Sequence, residues 1–301
     1  LGPSEVSDLG GILSQIAPEA IEFTARSGMR IAAHAWGSRS HRAVVLVHGG
    51  GQTRHSWGGT AEALAEHGWY AVTYDQRGHG GSDRAQNRDY STIRFAEDLV
   101  DVCAALTETT KSKPVVVGAS LGGLASLLAE GMLSPGCSSA IVLVDITPRM
   151  EKAGVDRIVQ FMLDRAESGF ESLDDAADAI AAYQPHRKRP RDNSGLSKNL
   201  RLDPDGRWRW HWDPDLFLGP RPIGTGSVTG QFVNAAVALN VPTLLVRGRM
   251  SDLVSEETAQ EFLKLRPDAK YVDVSGAGHM VAGDRNDLFT ASIVEFLDTI
   301  Q

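Results

Sequence analysis

Several things are scarce in these 301 residues, and each scarcity removes a class of protein. Cysteine occurs twice, at Cys103 and Cys137, with no CxxC spacing. That excludes a disulfide framework and leaves a structural zinc site without ligands, so both residues read as reduced thiols of a cytoplasmic protein. No run of 18 or more apolar residues occurs, which excludes a helical membrane span. The N-terminal stretch shows no basic segment followed by an apolar one, so no signal peptide is visible. Basic charge is in deficit, with 30 lysines and arginines against 38 acids and a net charge of −8. Such a balance disfavours sequence-independent binding to nucleic-acid phosphates. No G-x-x-x-x-G-K-[ST] is present, and no G-x-G-x-x-G follows a strand pattern. His34, His41 and His67 lack metal-ligand spacing, so neither metal nor cofactor is expected.

What is present is a repeated rhythm: a short β-branched run, a glycine-rich turn, then an amphipathic helix. Ala43 to Val47, Tyr70 to Tyr74, Pro114 to Val117 and Ala140 to Val144 are unbroken apolar or nearly apolar runs, as buried parallel strands require. Between them, helical spacing covers Trp57 to His67, Thr92 to Leu106 and Leu121 to Ala129. An antiparallel hairpin, Phe23 to Ala25 and Arg30 to His34, precedes them. The alternation predicts an α/β fold with a mostly parallel sheet and helices on both faces.

From about Thr147 to Ser227 the rhythm breaks. Two helical patterns appear, Val155 to Ala166 and Leu173 to Tyr183. They are followed by the basic run His186 to Arg191 and by Trp208-Arg209-Trp210-His211-Trp212, with three indoles at period two. No buried parallel strand falls here, so the segment reads as an insertion above the sheet. The expected division is a core of residues 1–146 and 228–301 with a cap, or lid, at 147–227. The basic run reads as a solvated loop of that cap. The α/β pattern resumes with a helix near Val228 to Leu239, strand Thr243 to Val246, helix Glu256 to Leu265, strand Tyr271 to Val274 and helix Leu288 to Leu297.

Gly118-Ala119-Ser120-Leu121-Gly122 is a G-x-S-x-G between a predicted strand and a predicted helix. A serine on so tight a turn projects its hydroxyl from the sheet, and the flanking glycines let strand and helix approach. Serine needs a base, and His279 follows the last predicted strand in Gly276-Ala277-Gly278-His279. The base needs an anion, and Asp252 lies in Gly248-Arg249-Met250-Ser251-Asp252 after the preceding strand. Asp145 also ends a parallel strand, and either loop could reach the outer imidazole nitrogen. An oxyanion needs donors, each worth roughly 2.7–4 kcal/mol when lost. The amides of Leu121 and of Gly50, in His48-Gly49-Gly50-Gly51, are the candidates, with Gly51 next. Gly51, Trp57 and Trp210 are the candidate substrate contacts.

These motifs, with Asp75-Gln76-Arg77-Gly78-His79-Gly80-Gly81-Ser82, resemble the α/β-hydrolase superfamily over roughly residues 21 to 299 apart from the insertion. The resemblance implies the α/β-hydrolase fold: an eight-stranded core, a helical cap after the sixth strand and a pocket between cap and catalytic triad. It also implies a structural role for the loop containing His79. The chain is similar to cofactor-free haloperoxidase-like esterases and small carboxylesterases. It departs from other branches: Ala119 replaces the asparagine of C–C hydrolases, Leu124 stands where a menaquinone-pathway relative has arginine, and Ser120 replaces the aspartate of epoxide hydrolases and haloalkane dehalogenases. The expected function is cofactor-independent hydrolysis of a carboxylic ester or lactone, a small molecule, through an acyl-enzyme. The alternatives are C–C hydrolysis, peracid formation or acyl transfer with the same triad, and a non-catalytic ligand-binding role.

Overall fold

The computed structural model describes residues 17–185, 192–226 and 229–300. The basic run His186–Arg191 lies outside the described residues, as do the first sixteen and residues 227, 228 and 301. The chain opens with β1 (Glu19–Thr24) and β2 (Arg30–Trp36), then β3 (Ala43–Val47), α1 (Gly58–Glu66), β4 (Tyr70–Tyr74), α2 (Thr92–Thr110), β5 (Val115–Ala119), α3 (Leu121–Leu128) and β6 (Ala140–Val144). Next come α4 (Lys152–Leu163), α5 (Leu173–Tyr183), a two-stranded ribbon of β7 (Leu200–Leu202) and β8 (Trp208–Trp210), α6 (Asp215–Leu218) and α7 (Thr229–Ala238). The chain closes with β9 (Thr243–Gly248), α8 (Glu256–Leu265), β10 (Lys270–Val274), α9 (Val281–Asp284) and α10 (Asn286–Asp298).

One eight-stranded sheet runs in the order β1-β2-β4-β3-β5-β6-β9-β10. Strands β1 and β2 pair antiparallel, as does β2 with β4, and every other pairing is parallel. Period-two alternation divides its core in two. In β3, Ala43, Val45 and Val47 join the core beneath α2, α3, α7 and α8, while Val44 and Leu46 join the core beneath α1 and α10. Both faces are covered, which is why these strands read as unbroken apolar runs. Parallel strands with right-handed crossovers put all their carboxyl ends on one rim, and the loops after β3, β5, β6, β9 and β10 meet there.

The segment between β6 and β9 adds no strand to this sheet. Its ribbon pairs Leu200 with Trp210 and Leu202 with Trp208, a pairing the sequence did not announce, since three-residue strands carry too few positions to show a period. The segment is tied to the loop after β4: the Gly80 amide donates to the His211 carbonyl (2.7 Å) and the Asp213 amide to the Gly78 carbonyl (2.7 Å). The Tyr90 hydroxyl donates to Asp213 Oδ2 at 2.7 Å. Among the described residues no helix is long and apolar enough to cross a membrane.

Candidate active site

Ser120 stands at the joint of β5 and α3 with φ 48° and ψ −116°, a conformation that L residues rarely adopt. The glycines around it explain how so sharp a turn packs. A Cβ on Gly122 would lie 2.4 Å from the Val47 carbonyl oxygen, and one on Gly118 would lie 2.6 Å from that of Gly122. Neither backbone contact can give way, so α3 reaches β3 and β5 only with glycine at both positions. The Ser120 amide donates to the Val144 carbonyl at 3.3 Å. Ser120 is thereby fastened to the residue immediately before Asp145.

Asp145, at the end of β6, also has positive φ, 49°. Its carboxylate is fully buried and receives three donors. The Gly248 amide reaches Oδ1 at 2.9 Å, while the Ser251 hydroxyl and His279 Nδ1 reach Oδ2 at 2.5 and 2.7 Å. With Nδ1 engaged by the carboxylate, the other ring nitrogen, Nε2, is the one presented for a proton. Neither it nor the Ser120 hydroxyl has a hydrogen-bond partner among the described residues. The His279 loop is itself held by the Gly278 amide donating to Asp284 Oδ2 at 2.9 Å.

The structure therefore brings Asp145, and not Asp252, to His279. Asp252 lies on the same loop as Ser251, but its side chain is 39% exposed and pairs with Arg157 of α4 at 2.5 Å. Arg157 also donates to the Tyr183 carbonyl and stacks on the Tyr183 ring. The physical reason for the difference is reach. The loop after β9 leaves the rim toward α4, whose Gly154 packs on the Asp252 carbonyl so closely that a Cβ would lie 2.1 Å from it. Asp145 has no such excursion to make. It follows β6 directly, between Ser120 and the end of β9.

The loop after β3 is held by two buried histidines. His48 shares a hydrogen bond through Nδ1 with the Gly49 carbonyl (2.7 Å) and accepts the Gln76 amide at Nε2 (3.0 Å). His79 contacts the Arg77 carbonyl through Nδ1 (2.9 Å) and accepts the Gly51 amide at Nε2 (3.0 Å). Accepting an amide requires an unprotonated nitrogen, so both rings are neutral with the proton on Nδ1. Burial lowers the pKa of each. For His79, burial and the neighbouring His48 bring it down to about 3. The Gly49 amide goes to Gln52 Oε1 at 2.9 Å. With Gly49 and Gly51 both engaged, Gly50 is left as the free amide of this loop. Neither it nor Leu121 gives its amide to an acceptor among the described residues. The Leu121 side chain lies 3.9 Å from where a Gly50 Cβ would be, so the two loops are neighbours.

The three expected substrate contacts fare differently. Trp57 is buried in the core on the α1 and α10 face, its ring 5.6 Å from that of Phe289. It packs the start of α1 against the sheet. Trp210 packs inside the insertion, edge-on to Phe161 (5.8 Å) and Phe170 (5.2 Å). Gly51 has φ 79°, and a Cβ there would lie 2.2 Å from the Met162 methyl and 3.6 Å from Trp212 Nε1. Thus Met162 of α4 and Trp212 cover the loop after β3, and sequence reasoning named neither for that place. Trp212 is the third member of the indole series; its backbone bridge to His79 turns it toward the rim.

The alpha/beta hydrolase family model matches residues 44–291. Esterase Rv0045c of Mycobacterium tuberculosis is 30% identical over 301 residues, covering 98% of this chain and 93% of its own length. Its solved structure aligns over 93% of this chain and 92% of that one, with TM-score 0.73 and 27% identity. The 2-(acetamidomethylene)succinate hydrolase of Mesorhizobium japonicum is 28% identical over 238 residues, 75% of this chain and 78% of the relative. A solved E-2-(acetamidomethylene)succinate hydrolase shares the fold, with TM-score 0.82 at 23% identity over 94% of this chain and all of that one.

Proposed function

The chain belongs to the alpha/beta hydrolase family, and from that premise we propose that it is a serine hydrolase of small-molecule carboxylic esters in which Ser120, His279 and Asp145 act together. Esterases among its relatives, Rv0045c and the Escherichia coli esterase YbfF (25% identical over 265 residues), support ester hydrolysis as the general activity. The observation that carries the residue assignment is the hydrogen bond of His279 to the fully buried Asp145, beside a positive-φ Ser120 tied to Val144 through its amide and with its hydroxyl unbonded among the described residues.

In this reading His279 Nε2 takes the Ser120 proton as the hydroxyl oxygen attacks the ester carbonyl carbon. The carbonyl oxygen becomes an oxyanion and is received by the amides of Gly50 and Leu121. Asp145 keeps Nδ1 protonated, orients the ring and stabilises the imidazolium, remaining ionised throughout. Collapse of the tetrahedral intermediate breaks the carbon–oxygen bond of the ester, and the imidazolium protonates the departing alkoxide. Water then attacks the acyl-Ser120 ester with His279 as base, the acid leaves, and the serine proton is restored. Residues 147–227 act as the cap, with Met162 and Trp212 walling the side of the site over Gly51.

A panel of short-chain esters and lactones, assayed with wild type and Ser120→Ala, tests this. Turnover that disappears with the hydroxyl is expected; ester turnover surviving in Ser120→Ala would contradict it.

A further inference from the structure

We infer that Ser251 is a positioning residue for the Asp145–His279 pair, an inference that rests on the proposed triad and extends it by one member. Its hydroxyl has one proton and two acceptor directions. Both acceptor directions are taken, by the amides of Leu253 (3.1 Å) and Val254 (3.2 Å). The proton therefore has a single outlet, Asp145 Oδ2 at 2.5 Å, the same oxygen that holds His279 Nδ1. A freely rotating hydroxyl could donate or accept; this one is fixed as a donor by its own backbone neighbours.

The consequence for the carboxylate is geometric. Gly248 pins Oδ1 and Ser251 pins Oδ2, so rotation of the Asp145 carboxylate about its Cβ–Cγ bond is blocked from both sides. His279 then meets an oxygen whose position is set before substrate arrives. Preorganisation of this kind matters because small misplacements of a catalytic group lower turnover sharply. The same loop continues into Asp252, which grips Arg157 of the cap. One turn of chain thus serves the acid with residue 251 and the cap with residue 252.

Three variants separate orientation of the acid from simple support of the loop. Ser251→Ala removes the donor, Ser251→Thr keeps it, and Asp252→Asn loosens the same loop at Arg157 while leaving the hydroxyl in place. The readouts are the low-field proton resonance of the His279 Nδ1–H and the division of effect between kcat and KM. Loss of a hydrogen bond to a charged group predicts that Ser251→Ala shifts the resonance and lowers kcat by about tenfold or more with little change in KM. Threonine restores both, and Asp252→Asn leaves the resonance where it was. A resonance unmoved by Ser251→Ala, unrestored by threonine, or moved equally by Asp252→Asn overturns the role of Ser251. The resonance is read without substrate. A shift of the expected kind in a protein that hydrolyses no ester would therefore sink the hydrolase reading and leave the Ser251 contact standing.

Discussion

Asp145 and Asp252 sit on neighbouring rim loops, after β6 and after β9, and have opposite surroundings. Asp145 is fully buried, receives three hydrogen bonds and holds His279; Asp252 is 39% exposed and meets one guanidinium. Burying a carboxylate is costly unless several donors satisfy it. An exposed ion pair is common and adds little. The comparison teaches that the carboxylate facing His279 is marked by burial and donor count, not by its place in a motif.

The largest effect expected from this contrast is kinetic. Asp145→Asn should lower kcat/KM for an activated ester by about 10⁴-fold, the scale on which a triad loses its acid. Asp252→Asn should stay within about threefold of wild type. Similar losses in the two variants would erase the distinction between the loops.

Next comes the joint between the loops. A Cβ at Gly248 would lie 2.1 Å from the Gly278 carbonyl oxygen and 2.8 Å from that of Ala277. Gly248→Ala must therefore part β9 from the His279 loop and displace the amide on Asp145. Urea unfolding should show a loss of about 3 kcal/mol, in the range of other overpacked interior substitutions. A loss below about 1 kcal/mol would mean that the joint is slack.

Acid should weaken the loop after β3, which His79 holds through the Gly51 amide. The His79 pKa falls from the ordinary 6.5 to about 3 on folding. The unfolded chain therefore binds the extra proton between those values, so stability falls as pH drops through 6.5 toward 3 and is unaffected above that window. At pH 5 the deficit relative to pH 7.5 is about 2 kcal/mol from this residue. His79→Gln, which can still accept the Gly51 amide, should shrink the difference between unfolding free energies at the two pH values. An unchanged difference would contradict the neutral, buried histidine.

The smallest effect belongs to the clasp. Arg157→Ala should lower stability by less than about 1 kcal/mol, as for other partly exposed ion pairs. It should change KM more than kcat, because α4 carries Met162 over Gly51. A kcat collapse with unchanged KM would mean that Arg157 serves the acid after all.

Much of this molecule could be read from its sequence, for physical reasons that also explain what could not. Strands buried on both faces announce themselves as apolar runs, so β3 and β6 stand where expected and β5 ends two residues later than expected. The glycines at 118 and 122 marked the turn that presents Ser120 because backbone contact leaves no room for anything else. The partner of His279 was illegible because it depends on which of two loops turns inward, a property of three-dimensional reach. A signal was present: Asp145 follows a fully buried strand without one intervening residue, whereas Asp252 comes after the exposed Met250. Trp57 was misplaced for a different reason. With Ala61 and Leu64 it forms a helical apolar series, i, i+4, i+7, and that spacing marks a core face more often than a ligand wall. The indole series at 208, 210 and 212 showed a shared face, but which ring would approach Gly51 was settled by the bridge between Trp212 and His79, a contact across more than a hundred residues.

The rate at which a fluorophosphonate labels the protein, with the modified residue located by peptide mass spectrometry, reads the activation of the nucleophile without choosing a substrate. The expected outcome is rapid labelling at Ser120 in wild type and in Asp252→Asn, and labelling slowed by orders of magnitude in Asp145→Asn. Modification at another residue, or equal rates in the two aspartate variants, would contradict the account.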